Sequence, residues 1–296
     1  MGIWVDTDMG VDDLFAVLLT LQHTDVDGMS LVFGNAPLEY VKRNIAGAVK
    51  QFGWQFPIYS GAGCALLGGV QTAQNILGTT GMPSRGECLP TAEGNYPAAQ
   101  ACLRDWLRGQ TDAEILALGP LTNLAILALA QPDLLANISK ITWMGGGITR
   151  GNHTASAEFN ALADPEALAV LLARDVAITM IDLDACRKVE ITEEDITALK
   201  SSRLMKDLLG GYLDIALKRQ RPAMALYDPV AAAALVAPSA FQFAPAQVEV
   251  ELAGNLTRGR TVVDQRDSKS ANARVVQDLD AERVKSICLS ALKNLS

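Results

Sequence analysis

Four aspartates, Asp6, Asp8, Asp12 and Asp13, lie within eight residues near the start of the chain. They follow the apolar run 3–5, which is typical of a buried strand. One or two of these carboxylates would serve as caps for the next helix, but the mutual repulsion of four requires a counter-charge. Carboxylate oxygens are the ligands that calcium and magnesium prefer. The sequence therefore predicts a hard divalent cation at this loop.

Short apolar runs alternate with longer amphipathic stretches from residue 3 to residue 181. This alternation predicts an α/β fold, with an open, mainly parallel, Rossmann-like sheet and helices on both faces. The predicted strands end at Asp6, at Gly34-Asn35, at Leu118-Gly119 and at Met144-Gly145. Because ligands bind beyond the carboxyl ends of parallel strands, these four ends should meet around one site.

Composition excludes several other classes of protein. The chain has 296 residues, 49% of them hydrophobic, and a formal net charge of −8 without a basic stripe. We therefore expect one domain over residues 1–296 with no nucleic-acid partner and no membrane span. The segment 68–97 is rich in Gly, Pro and small polar residues and predicts a mobile active-site loop.

Histidine and cysteine are both scarce, which narrows the possible chemistry. There are two histidines, His23 and His153, so a histidine-rich metal site is excluded. The five cysteines are scattered without a CxxC pair, which favours reduced thiols and a cytoplasmic location. Acid–base chemistry must therefore depend on carboxylates or on one imidazole.

The carboxylate motif is similar to the DxDPGxDD signature of the inosine–uridine nucleoside hydrolase family, with Met9 in place of the usual proline. Further blocks resemble the family in the same order along almost the whole chain. These blocks are Val32-Phe33-Gly34-Asn35, Gly119-Pro120-Leu121-Thr122-Asn123, Met144-Gly145-Gly146-Gly147, Ala157-Glu158-Phe159-Asn160, Asp228-Pro229 and the segment 256–264.

The resemblance implies a calcium-dependent enzyme that hydrolyses the N-glycosidic bond of ribonucleosides. It implies Ca²⁺ ligands at Asp8, Asp13, Asp228 and the backbone carbonyl of Leu118, with Asp6 supporting the loop. It also implies a homodimer or a homotetramer. The residues that would hold the ribose are Asp12, Asn35, Met144, Asn152, Glu158 and Asn160. In this scheme Asp8 accepts the proton of the water that attacks C1′, where oxocarbenium character develops.

The leaving-group end departs from the family pattern. Tyr227 occupies the position of a histidine thought to protonate the departing base, and we expect it to contact the leaving group. His153 adjoins Asn152, so contact with a ligand is an alternative, but we expect it to be a surface loop imidazole and His23 to be structural. Stacking of the base on an aromatic side chain is a further possibility. The candidates are Tyr59, Tyr96, Tyr212, Trp54 and Trp106.

Two other functions compete with this interpretation. A phosphatase of the haloacid-dehalogenase type also begins with a strand and Asp-x-Asp. Such an enzyme needs a small hydroxyl residue soon after the second aspartate, whereas residues 9–11 of this chain are Met-Gly-Val. A ribose-binding or nucleoside-binding protein with weak or absent catalysis would keep the metal and sugar residues. The absence of the expected histidine favours that alternative, and the presence of Asp8 opposes it.

Overall fold

A computed structural model of the chain describes residues 2–266, 270–293 and 295. In these ranges the strands are β1 (Ile3–Thr7), β2 (Val26–Leu31), β3 (Ile58–Ser60), β4 (Ala113–Ala117), β5 (Ile138–Met144), β6 (Ile178–Ile181), β7 (Glu190–Ile191), β8 (Met224–Ala225), β9 (Phe241–Val250), β10 (Thr261–Asp264) and β11 (Ala273–Leu279). The α-helices are α1 (Val11–Leu21), α2 (Leu38–Phe52), α3 (Gln74–Leu77), α4 (Ala99–Arg108), α5 (Thr122–Ala130), α6 (Phe159–Ala163), α7 (Pro165–Leu172), α8 (Leu183–Cys186), α9 (Glu193–Ala198), α10 (Arg203–Leu217), α11 (Asp228–Val236) and α12 (Ala281–Ser290).

Nine of the described strands form one sheet in the order β10-β9-β11-β6-β5-β4-β1-β2-β3. The neighbours from β11 to β3 are parallel, whereas β9 pairs antiparallel with both β11 and β10. The predicted mainly parallel α/β sheet is thus confirmed. The chain runs outward from β1 to β3 on one side and continues through β4 on the other. A switch point therefore lies between β1 and β4, where ligands bind in open sheets of this kind.

Strand β1 shows how the sequence places a core on each face of the sheet. Val5 is buried in the core that includes residues of α1, α10 and α11, and Trp4 in the core that includes residues of α4, α5 and α7. Successive side chains of a strand point to opposite faces, so an uninterrupted apolar strand requires helices on both sides. The helices on both faces fix β1, and with it the aspartate loop that follows.

The long segment 68–97 contains only one short helix, α3, and ion pairs attach it to α9 and α10. The Arg85 guanidinium forms ion pairs with Glu193 at 2.7 Å and with Asp214 at 2.7 Å. Two residues further on, the backbone N–H of Glu87 donates to Asp207 at 2.8 Å. The part of the segment that contains α3 lies at the site described below, and the part around Arg85 is anchored away from it.

None of the helices in the described part of the chain combines the length and the hydrophobicity that crossing a membrane requires.

Candidate active site

A cavity opens at the carboxyl ends of β1, β4 and β5, at the switch point of the sheet. It is lined by ten of the eleven side chains or backbone groups that the sequence singled out. These are Asp8, Asp12, Asn35, Leu118, Met144, Asn152, Glu158, Asn160, Tyr227 and Asp228. The remaining one, Asp13, is fully buried in the first turn of α1 behind the cavity wall. The structure thus brings together residues that are up to 220 positions apart in the sequence.

Asp8 is held by Asn35, which follows the neighbouring strand. Its carboxylate accepts hydrogen bonds from the Asn35 backbone N–H at 2.6 Å and from Asn35 Nδ2 at 3.0 Å. Gly34 makes this approach possible, because a Cβ atom there would collide with the Asp8 carboxylate. The Asp8 oxygens are therefore fixed at the cavity surface by the loop that ends β2.

Three buried carboxylates form the group best placed to hold a cation. Oxygen atoms of Asp12, Asp13 and Asp228 all lie within 4.8 Å of one another. Asp13 is oriented by Thr7 Oγ1 at 2.5 Å, by the Gly10 backbone N–H at 2.8 Å and by Asn35 Nδ2 at 2.8 Å. Asp228 is the first residue of α11, so its carboxylate lies at the positive end of a helix.

The loop that carries these carboxylates is itself constrained. Met9 adopts a φ of +32°, which is unfavourable for a residue with a side chain. Its N–H donates to Thr7 Oγ1 at 3.0 Å and its carbonyl accepts from Asn44 Nδ2 at 2.9 Å. Beneath it, Asp6 accepts from Ser30 Oγ and from Asn123 Nδ2. Asp6 thus ties β1 to β2 and to α5, which is a supporting position.

Burial opposes ionisation throughout this cluster. It raises the pKa of Asp12 to about 7 and that of Asp6 to about 6. The pKa values of Asp8 and Asp228 are raised well above their ordinary range by burial and by the neighbouring aspartates. Among the described residues, no lysine or arginine forms an ion pair with Asp8, Asp12, Asp13 or Asp228. The cluster thus has an uncompensated negative charge when ionised, which a divalent cation would neutralise.

Glu158 and Asn160 line the same cavity as the aspartates. Glu158 caps α6 by accepting from the backbone N–H groups of Asn160 at 2.8 Å and Ala161 at 3.0 Å, and it also accepts from Gly146 at 2.9 Å. Burial raises its pKa to about 7 despite these bonds. Asn160 Nδ2 donates to the Leu118 carbonyl at 2.9 Å and to the Met144 carbonyl at 3.0 Å. Glu158 therefore both caps α6 and lines the cavity.

The other end of the cavity is largely apolar. Ile76 and Leu77 of α3, Ile215 of α10 and Met224 of β8 line it, together with Tyr227. Burial raises the pKa of Tyr227 to about 12, so its phenol is a hydrogen-bond donor and not a proton source at neutral pH. One end thus offers carboxylates and amides to a polyhydroxylated group, and the other offers a slot to a flat apolar one.

Three lining residues were not assigned a role from sequence, or were placed elsewhere. Tyr212 Oη donates to Asp12 Oδ2 at 2.9 Å, and it alone of the five aromatic candidates lines the cavity. Arg219, two residues beyond α10, lies at the cavity as well. The expectation that His153 is a surface imidazole is wrong, because its ring packs on Phe159 in the cavity wall. In the sequence, only the position of His153 next to Asn152 indicated that it could lie at the cavity.

Comparison with known proteins agrees with the fold. A model of the family described as inosine-uridine preferring nucleoside hydrolase matches residues 3–286. The chain is 31% identical over 291 residues to the non-specific ribonucleoside hydrolase RihC of Escherichia coli (strain SMS-3-5 / SECEC), covering 95% of each chain. Two solved structures share the fold with a TM-score of 0.90 and 24% identity. One is a plant nucleoside hydrolase, PpNRh1, matched over 99% of both chains. The other is a purine-preferring ribonucleoside hydrolase from Gardnerella vaginalis, matched over 100% of this chain and 99% of that one.

Fold, site and relatives together define an enzyme that hydrolyses N-ribosyl bonds. The carboxylates at the switch point and the amides facing them are the features that suit this chemistry. The chain belongs to the inosine-uridine preferring nucleoside hydrolase family.

Proposed function

We propose that the protein is a calcium-dependent ribonucleoside hydrolase that releases ribose and a free base from this cavity. The observation that carries the proposal is the buried group of Asp12, Asp13 and Asp228, at a cavity that Asn160 and Glu158 also line. An oxygen-rich end that suits a cation and a sugar adjoins an apolar end that suits a base. This arrangement matches the two parts of a nucleoside.

The donor set fits calcium. Asp8, Asp13, Asp228 and the Leu118 carbonyl offer only oxygen atoms, and neither histidine nor cysteine contributes to the group of closest carboxylates. Asp12 lies within the same group, so it is a fourth carboxylate available to the cation or to a sugar hydroxyl. When bound, the cation would neutralise these charges and polarise the water and hydroxyl oxygens that it contacts.

Asp8 is the residue we assign as general base. Its carboxylate is fixed by Asn35, and its raised pKa makes it a better proton acceptor than an exposed aspartate once it is ionised. In the proposed reaction Asp8 takes a proton from water, and that water forms the new bond to C1′ as the bond to the base breaks. No side-chain nucleophile is required.

The amides and Glu158 hold the sugar. Asn152, Asn160, Glu158, Asp12 and Asn35 all line the cavity. Directional hydrogen bonds from these groups would fix the ribose ring and stabilise the positive charge that develops near C1′.

Removal of the cation gives a direct test. We expect chelation with EGTA to abolish ribose release from inosine or uridine, and added Ca²⁺ to restore it, because the ionised cluster repels itself without a counter-charge. The same addition should raise the melting temperature, since the ion binds only the folded site. Ribose release and differential scanning fluorimetry are the two measurements.

Asp13→Asn is the matched variant for this test, and the exposed Asp25→Asn is its control. The first should lose the calcium-induced rise in melting temperature, and the second should keep it. Full activity in EGTA, with no metal detected by elemental analysis, would refute the calcium dependence.

Tyr227 is proposed to donate a hydrogen bond to the departing base. We expect Tyr227→Phe to reduce turnover of inosine and uridine about tenfold, because a hydrogen bond to developing charge is lost. p-Nitrophenyl riboside, whose leaving group needs no such help, should lose less than threefold. Equal losses in kcat on the two kinds of substrate would contradict this role.

Cytoplasmic location and assembly into a homodimer or homotetramer stay predictions, since they depend on composition and family resemblance. Size-exclusion chromatography with light scattering tests the second of them.

A further inference from the structure

The His153 imidazole lacks any hydrogen-bond partner in the described part of the chain, although it lines the cavity. Its Nδ1 atom is shielded from solvent and unpaired. Buried polar atoms are nearly always satisfied, and the exceptions require an explanation. The ring is positioned by Phe159, with 5.1 Å between the ring centroids and an angle of 55° between the planes.

The loop that carries His153 is held at several points. Asn152 Oδ1 accepts from the Phe159 backbone N–H at 3.0 Å. The Gly151 carbonyl accepts from Arg187 Nη2 at 2.8 Å, and the Gly151 N–H donates to the Ala155 carbonyl at 3.0 Å. These bonds order the backbone on both sides of the imidazole, so it is a preorganised group in the cavity wall.

The side chains around the apolar end indicate what the imidazole meets. Ile215 and Arg219 lie four positions apart at the end of α10, and both line the cavity. Partial burial and the charge of Arg219 lower the pKa of His153, which keeps the ring neutral at neutral pH. A neutral imidazole offers one donor and one acceptor, the same combination that the edges of nucleobases present.

We propose that His153 determines base specificity by forming a hydrogen bond from its Nε2 atom to the polar edge of the nucleobase. Nδ1 is enclosed by protein and His153 lines the cavity, so Nε2 is the nitrogen that we expect a bound nucleoside to reach. The inference rests on the proposed function, because it requires that a ribonucleoside occupies the cavity. Under this proposal His153 contacts the nucleobase, whereas the carboxylates contact the ribose and the cation.

Two variants separate this role from packing. His153→Phe keeps the contact with Phe159 and removes both nitrogens, whereas His153→Gln places an amide near the position of Nε2 and removes the ring. We expect His153→Phe to lower kcat/KM about tenfold on the best nucleoside among inosine, guanosine, adenosine, uridine and cytidine, and to level the ranking of the five. His153→Gln should stay within about threefold of the wild type.

Both variants are also assayed on p-nitrophenyl riboside, which has ribose but no nucleobase. Unchanged kcat/KM there, with a selective loss on nucleosides for His153→Phe, supports the proposal. Wild-type ranking and rate in His153→Phe would assign the residue to packing, and equal loss on all substrates would assign it to the sugar. Either result overturns the proposal. A wild-type enzyme inactive on every substrate would instead refute the proposed function.

Discussion

Replacing Asp8 with alanine is expected to lower kcat for every ribonucleoside about a thousandfold, because the variant loses both the proposed general base and one proposed calcium ligand. The pocket around it should survive. The Asn35 groups that Asp8 holds lie at the cavity surface, where water can satisfy them after the carboxylate is removed. Ribose release with saturating Ca²⁺ measures the loss, and circular dichroism checks the fold.

The isosteric Asp8→Asn variant is the more stringent form of this test. Its amide oxygen still accepts one of the two hydrogen bonds from Asn35, but the amide cannot take up a proton from water at neutral pH. Burial raises the folded-state pKa of Asp8, so ionisation of the wild-type residue destabilises the metal-free protein at pH values above its unfolded-state pKa. This destabilisation is absent at pH values below the unfolded-state pKa of Asp8.

We therefore expect metal-free Asp8→Asn to melt within about 5 °C of the wild type at pH 7, since a lost hydrogen bond is offset by relief of repulsion. Hydrolysis close to the wild-type rate by folded Asp8→Asn would contradict the assignment of the base. A large loss of both stability and activity would point to a structural role instead.

The second large effect is expected at Glu158. Glu158→Gln should lower kcat/KM about a hundredfold, because one glutamine oxygen cannot replace two carboxylate oxygens that accept three backbone N–H bonds. Gly146 N–H and Ala161 N–H both donate to Oε2, and an amide nitrogen at that position would face two donors. The loop after β5 and the start of α6 would then separate, and the proposed sugar contacts would be lost.

Asp184→Asn is the matched control for Glu158→Gln. Asp184 accepts from the backbone N–H groups of Ile148 at 2.8 Å and Thr149 at 2.9 Å, so it anchors the same loop outside the cavity. We expect it to change kcat/KM less than about threefold. Comparable losses in both variants would show that loop order alone, and not the position of Glu158 in the cavity, controls activity.

Local sequence patterns were enough to predict the parallel part of the fold. Helix α2 occupies 38–52, as its amphipathic pattern indicates, and β5 ends at Met144 as predicted. Strand β1 extends two residues beyond the apolar run 3–5, and β2 ends at Leu31, before the predicted end at Gly34-Asn35. These elements carry strong short-range signals in buried runs and turn residues. The antiparallel addition of β9 and β10 beyond β11 was not predicted, because the partner of a strand is set by long-range packing.

The site was predictable to the extent that motifs mark strand ends. Ten of the eleven assigned residues line one cavity, since parallel strands bring their carboxyl ends to one edge. Tyr212, His153 and Arg219 lacked such a marker. A tyrosine inside the apolar pattern of α10 looks like a core residue, and a histidine in a polar loop looks exposed. These three residues line the cavity because long-range packing brings α10 and the loop after β5 to it, and local sequence patterns do not predict such packing.

The ion pairs of Arg85 have a consequence for the rate at which molecules enter and leave the cavity. They attach the middle of segment 68–97 to α9 and α10, while α3, nearer the start of the segment, lines the cavity. We expect a molecule that enters the cavity to displace the residues near α3 more readily than those around Arg85. Because these ion pairs are partly exposed, dissolved salt weakens them. We therefore expect ionic strength to alter the dwell time of a bound molecule without a change in any residue that lines the cavity.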